Sequence, residues 1–188
     1  IQKFREKHPG IRIYILQASP EQLIDQLHSH KADVAICTEK LNDDDKLVTR
    51  HCYEWHHAVI MLRGHPLCEG KLTPERLTDF PILTYSHGFT GRSAIEHAFR
   101  QCGLQLDIIL AAADTDVIKT YVHCNMGVGI IARMAYDKQA DADLVIRDLS
   151  HIIPKSITKI AYLTRTYLPL FTQHFIDELL IAAIDMKA

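Results

Sequence analysis

The residues that could do chemistry in this chain gather in a few short stretches. The first is "SHGFTGRSAIEHAF", Ser86 to Phe99, where Gly88, Thr90, Gly91 and Ser93 stand at the entrance of a helix. A helix N-terminus carries unpaired N–H groups and the positive end of the helix dipole. Thr90 can therefore serve as a plain cap, or can complete a seat for a small anion that the glycines allow to approach closely. The second is "ICTE", which places Thr38 just past the carboxyl end of an apolar strand, where ligands of open α/β sheets collect. A strand-ending threonine in a turn explains it equally well. The third is "CYEWHHA", with Tyr53 and Trp55 on one face of a strand and His56 and His57 on opposite faces. No His-Glu-x-x-His and no deaminase-type His-x-Glu with Pro-Cys-x-x-Cys accompanies these histidines. They read as solvated or partly buried side chains and not as metal ligands, and His57 is expected to be dispensable. Cys37, Cys52 and Cys124 lack any local nucleophile signature. Cys37 reads as a small buried hydrophobe in its strand. "GVG" at Gly127 to Gly129 is too short for a phosphate loop and fits a tight turn into a strand. In "DTDV" one carboxylate suffices as a helix cap.

The elements that position these residues alternate. "IQKFREK" is an amphipathic helix stopped by Pro-Gly. "IRIYILQ", Ile11 to Gln17, alternates and is β-branched, which predicts a strand. Ser19, Pro20 and Gln22 form a capping box for the next helix. "DVAICT" is expected to be a short, fully buried strand, so that strand, helix and strand make a right-handed parallel crossover. After a polar loop, "EKLNDDDKL", two strands run through "VTRHCYEW" and "HHAVIMLRGHPL". A short helix starts at Thr73-Pro74, and "ILTYS", "LDIILAAA", "GVGIIA", "DLVIRDL" and "ITKIAYLT" are strands. Helices follow Thr90 and Asp114, and "LPLFTQHFIDELLIAAI" closes the chain. Such alternation is the mark of α/β layering.

Composition bounds the function. The chain has 188 residues, 47% hydrophobic, enough for one or two cores. Its 21 Lys+Arg balance 23 Asp+Glu, so no basic surplus points to nucleic-acid binding by this segment itself. No apolar run is long enough to span a bilayer. Five cysteines without a CxxC pair fit free thiols in a reducing cytosol. The chain begins at Ile1, inside a helix and without methionine, and a preceding segment is expected.

Taken together and in order, "KADVAICTEKL", "CYEWHHAVIMLRGHPL", "PILTYSHGFTGRSAIEHAF", "DTDVIKTYV" and "GVGIIA" resemble the effector-binding region of LysR-type transcriptional regulators. The similarity is greatest to the CysB/Cbl subfamily, which governs sulfur assimilation and cysteine biosynthesis, and it covers essentially the whole chain. "GFTGRS" and "D-x-DVIKTYV" are its most specific parts. The resemblance implies an α/β, periplasmic-binding-protein-like fold of two Rossmann-like subdomains joined by two crossover strands. Residues 1–53 with 157–188 would form regulatory subdomain I, and 54–156 subdomain II. It implies a small anionic effector in the inter-subdomain cleft: sulfate, thiosulfate or an N-acetylserine-like molecule. Thr38 and Thr90 match hydroxyl ligands of that anion, and Tyr53 and Trp55 an aromatic pair beside it. It implies no enzyme activity, cofactor or metal, a cytoplasmic location, homodimers that become tetramers at full length, and DNA contact through a helix-turn-helix domain outside this chain. Two departures stand out. The subfamily's first strand, with its Thr-x-Thr-Gln segment, has no counterpart here, and Ala18 replaces a glycine common before "SP". The rival readings are a secreted solute-binding protein of the same fold and a small cytosolic α/β enzyme using Cys or His.

Overall fold

The computed structural model describes residues 1–38, 44–89 and 91–185. It divides into two compact units, Ile1–Tyr53 with Ile157–Ala188, and Glu54–Ser156. The chain crosses from one to the other twice, within strand β2 (Leu47–Trp55) and at the start of strand β8 (Ser156–Leu163).

Unit 1 contains helices α1 (Gln2–Lys7), α2 (Pro20–His28) and α6 (Leu170–Asp185) and strand β1 (Ala35–Cys37). A three-stranded sheet has the order β1-β8-β2. Helix α2 starts where its capping box dictates: the Gln22 N–H donates to Ser19 Oγ, and the Ser19 N–H donates to Gln22 Oε1. Its Leu27 packs with Ala35, Leu47 and Ala161 in a small core. Phe4 of α1 meets Phe175 of α6 edge-on at 5.1 Å, and Lys7 pairs with Glu178.

Three sequence expectations fail in this unit. Ile11 to Gln17 forms no strand, although its pattern is right. A strand needs a ladder partner, and these residues have none among the described residues; Tyr14 is 81% exposed and Ile15 71%. The segment instead borders a cavity of about 240 Å³ with Phe4, Phe171 and Phe175. The parallel crossover therefore does not form, and β1 pairs antiparallel with β8, Ala35 opposite Ala161 and Cys37 opposite Lys159. Nor is β1 fully buried: it has one described neighbour, and Ile36 is 45% exposed. Residues 39–43 of the expected polar loop lie outside the described residues. At its far end Asp44 accepts from His28 Nε2 at 2.5 Å, which with the Lys46 N–H holds its carboxyl below the usual range.

Unit 2 is a sheet between helices. Its strands are β3 (His57–Leu62), β4 (Ile82–Tyr85), β5 (Ile108–Ala112), β6 (Val128–Ala132) and β7 (Leu144–Asp148), in the order β5-β4-β6-β3-β7. β4 runs parallel to β5 and β6, and β3 runs antiparallel to β6 and β7. Val59 and Met61 point to one face, among Leu77 of helix α3 (Pro74–Thr78) and Ile95 and Phe99 of helix α4 (Arg92–Gln101). Ile60 points to the other, among Ile118 and Val122 of helix α5 (Thr115–His123). Burial on both faces explains why β3 reads as a continuous apolar run. Among the described residues no helix is long and apolar enough to cross a membrane.

Candidate functional site

In unit 2 the site residues surround the entrance of α4. The chain leaves β4 at Tyr85 and turns tightly: the Phe89 N–H donates to Ser86 O, and the Arg92 N–H to Phe89 O, each at 3.0 Å. Gly88 and Gly91 both adopt left-handed backbone, φ 80° and 72°, which a residue with a Cβ adopts only at a cost. Gly91 occupies the cap position, with no side-chain cap bond. Thr90, the expected cap or ligand, lies outside the described residues. The turn is clamped from behind by Arg92, which is buried. Its guanidinium donates to the Tyr85 carbonyl and pairs with Glu96, through Nη2 at 2.9 Å and Nε at 3.0 Å. Tyr85 is held in turn: its hydroxyl lies 2.8 Å from Thr115 Oγ1 and accepts the Ala132 N–H at 3.0 Å, while burial pushes its pKa up.

Beneath the turn lies His57. It is wholly buried, not solvated or partly buried as the sequence suggested, because β3 is flanked by β6 and β7. The Trp55 ring stands 4.7 Å from the His57 ring at 55°, and Trp55 is itself buried. A Cβ on Gly91 would fall 2.8 Å from His57 Cε1 and 2.8 Å from Ser156 Oγ.

In unit 1, Thr38 follows β1 directly, as expected. Its Oγ1 lies 3.4 Å from Oγ1 of Thr158, a buried threonine of β8. The antiparallel register that sets Cys37 against Lys159 brings the two hydroxyls together. Tyr53 sits half-buried near the end of β2 and belongs to this unit. The structure thus joins Thr38 to Thr158 and Trp55 to His57, pairings that the sequence reading did not foresee. Arg92 lay inside a motif already noted, but its burial has no local signature. Burial raises the Cys52 thiol pKa, the reverse of what an activated nucleophile needs. Among the described residues no group of three or more His, Cys, Asp or Glu side chains could hold a metal ion.

The chain matches the family model of the LysR substrate binding domain over residues 1–183. The chain belongs to this family. It is 40% identical over 178 residues to the HTH-type transcriptional regulator SsuR of Burkholderia cenocepacia, covering 94% of this chain and 58% of that protein. It is 43% identical over 178 residues to the regulator CysB of Haemophilus influenzae, covering 94% and 55%. Among solved structures, the cofactor-binding domain of the Cbl transcriptional regulator matches with a TM-score of 0.91 at 33% identity, over 99% of this chain and 83% of that one. The chain thus spans a little over half the length of these curated relatives. As a LysR effector-binding domain it has the periplasmic-binding-protein-like α/β fold.

Proposed function

We propose that this chain is the sensing part of a LysR-type regulator of sulfur assimilation and cysteine biosynthesis genes, and that it binds a small anion or acetylated serine. Thr38 and Thr90 supply hydroxyls to the effector, and Tyr53 and Trp55 supply aromatic walls. Residues 1–53 with 157–188 act as regulatory subdomain I and 54–156 as subdomain II. The full regulator is cytoplasmic and contacts DNA through a helix-turn-helix domain; this part catalyses no reaction. The observation that carries the reading is the α4 entrance, where Gly88 and Gly91 take left-handed backbone and Gly91 stands at the cap position. A helix start without a side chain at its cap position lets an anion approach the positive end of the helix dipole. The similarity to CysB, SsuR and Cbl supports the sulfur-related choice of effector.

The test is calorimetry with sodium sulfate and N-acetylserine. A hydrogen bond to a charged group contributes roughly 1.5–3 kcal/mol. Thr90→Val removes a hydroxyl and keeps the shape, so its affinity should fall roughly ten- to a hundred-fold, and Thr38→Val should behave alike. Parent-like affinity in Thr90→Val would reduce Thr90 to a cap and remove the anion seat.

We also propose a homodimer. Val117 and Tyr121 stand one turn apart on α5 and both are exposed, as is Ile1 ahead of α1. Sedimentation at micromolar concentration should give a dimer, and Tyr121→Glu should give monomers. A parent that sediments as a monomer would count against the pairing.

A further inference from the structure

Thr158 stands beside Thr38, and its hydroxyl has no part in the proposed site. It lies on β8, the middle strand of the order β1-β8-β2, and is 3% exposed. Burial alternates along this stretch: Thr158 and Ile160 are buried, while Ile157 and Lys159 are half-buried. The rung that sets Cys37 against Lys159 continues to Thr38 and Thr158, whose Oγ1 atoms lie 3.4 Å apart. A valine at this inward position would have nearly the same shape, suit a strand at least as well and bury no hydroxyl. The two threonines are unequally held. Thr158 sits within a strand that has neighbours on both sides, whereas Thr38 lies just past the end of β1 and is half-buried. Their separation exceeds the roughly 2.7–2.8 Å usual for two hydroxyls, so the contact can orient Thr38 and still let it turn to a ligand.

We infer that Thr158 is a positioning residue for the effector: it donates to Thr38 Oγ1 and so reserves the Thr38 hydroxyl proton for the ligand. The inference rests on the reading of Thr38 as an effector ligand. Its direction follows from the protons available. A threonine hydroxyl has one proton to give and two lone pairs to accept with. Sulfate accepts and does not donate, so Thr38 must spend its one proton on it. The bond between the two threonines can then exist only with Thr158 as the donor. Hydroxyls bonded in series also polarise one another, which makes the outer proton the better donor. A valine at position 158 would remove that polarisation and leave the Thr38 proton without a preferred direction.

The test is calorimetry with sodium sulfate on the parent, Thr38→Val, Thr158→Val, Thr158→Ser and the double variant Thr38→Val/Thr158→Val, with urea unfolding of each. Thr158→Val should unfold at or above the parent's midpoint and bind about three- to tenfold more weakly. Thr158→Ser keeps the hydroxyl and should bind within about twofold of the parent. The double variant should bind within about twofold of Thr38→Val alone, because Thr158 acts through Thr38. Should Thr158→Val fail to fold, Thr158→Ala takes its place and is read against Thr158→Ser, which loses the same methyl and differs by the oxygen alone. Parent-like affinity in a folded Thr158→Val or Thr158→Ala, beside a weakened Thr38→Val, overturns the positioning role alone. Thr158→Ser as weak as Thr158→Val does the same, since the loss would then come from packing. So does a double variant weaker than Thr38→Val by the full factor lost in Thr158→Val, which would make the two hydroxyls independent. A parent that binds no sulfate, or a Thr38→Val protein that binds it as tightly as the parent, overturns the reading of Thr38 and the positioning role with it.

Discussion

Gly127→Ala should destabilise the protein by more than about 3 kcal/mol, the upper end of what overpacking usually costs. Gly127 leads into β6, and the next N–H, of Val128, donates to Pro81 O at 2.9 Å. A Cβ at Gly127 would lie 2.3 Å from that same oxygen and 3.0 Å from the Pro81 carbonyl carbon. These are backbone atoms, and no rotamer change can move them away. The ladder from Ile82–Val128 to Leu83–Gly129 would have to separate at its first rung. Gly129→Ala makes the useful contrast. Its Cβ would meet Ile60 Cγ1 at 2.8 Å, Val122 Cγ2 at 3.0 Å and Ile118 Cγ2 at 3.1 Å, all side chains that can partly give way. Its cost should stay within about 1–3 kcal/mol. Urea unfolding of the two variants measures both. A Gly127→Ala protein within about 1 kcal/mol of the parent would show that β4 and β6 do not meet in this register. The consequence reaches the site, because β4 ends at Tyr85, whose carbonyl holds Arg92 and with it the α4 turn.

These two glycines also mark where reading the sequence stops. "GVG" looked like a turn into a strand, because local sequence cannot reveal a neighbouring strand's carbonyl. Features settled within a few residues were legible: the Ser19–Gln22 box, Thr73 ahead of Pro74, and the Asp114 cap all form as expected. Features settled by distant partners were not. Ile11 to Gln17 has the alternation of a strand, but alternation cannot supply the partner that a ladder requires. Thr38 could be placed at a strand's end, yet its contact is 120 residues away on β8. His57 could be placed on a strand, while its burial depends on the order β6-β3-β7. Family resemblance closed part of this gap by supplying the fold. It could not supply the imidazole beneath Gly91, which becomes visible only once α4 is set against β3.

Lys119→Met should cost about 3–5 kcal/mol, the range for breaking a buried ion pair from one side. Lys119 Nζ lies 2.8 Å from Asp141 Oδ2, and the two side chains are only 12% and 6% exposed. Asp116, 3.9 Å away and almost fully exposed, adds little. Without the ammonium, Asp141 would keep the Asp137 N–H at 2.8 Å, too little to hold a buried carboxylate. The double variant Lys119→Met/Asp141→Leu removes both charges and should recover much of the loss, since an apolar pair of similar volume often replaces a buried ion pair at little cost. Chemical denaturation of the four proteins closes the cycle. Equal losses in the single and double variants would mean that Lys119 acts by its packing and not by its charge. The result also bears on "D-x-DVIKTYV", among the most family-specific stretches of the chain. Asp114 caps α5 through the Asp116 N–H, Ile118 and Val122 fill the core, and Thr120 bonds back to the Asp116 carbonyl. With Lys119 locking α5 to the turn that holds Asp141, the motif encodes how this helix docks on its sheet. At a temperature where Lys119→Met is still folded, its affinity for sulfate should therefore stay within about twofold of the parent's, because none of these side chains belongs to the proposed seat.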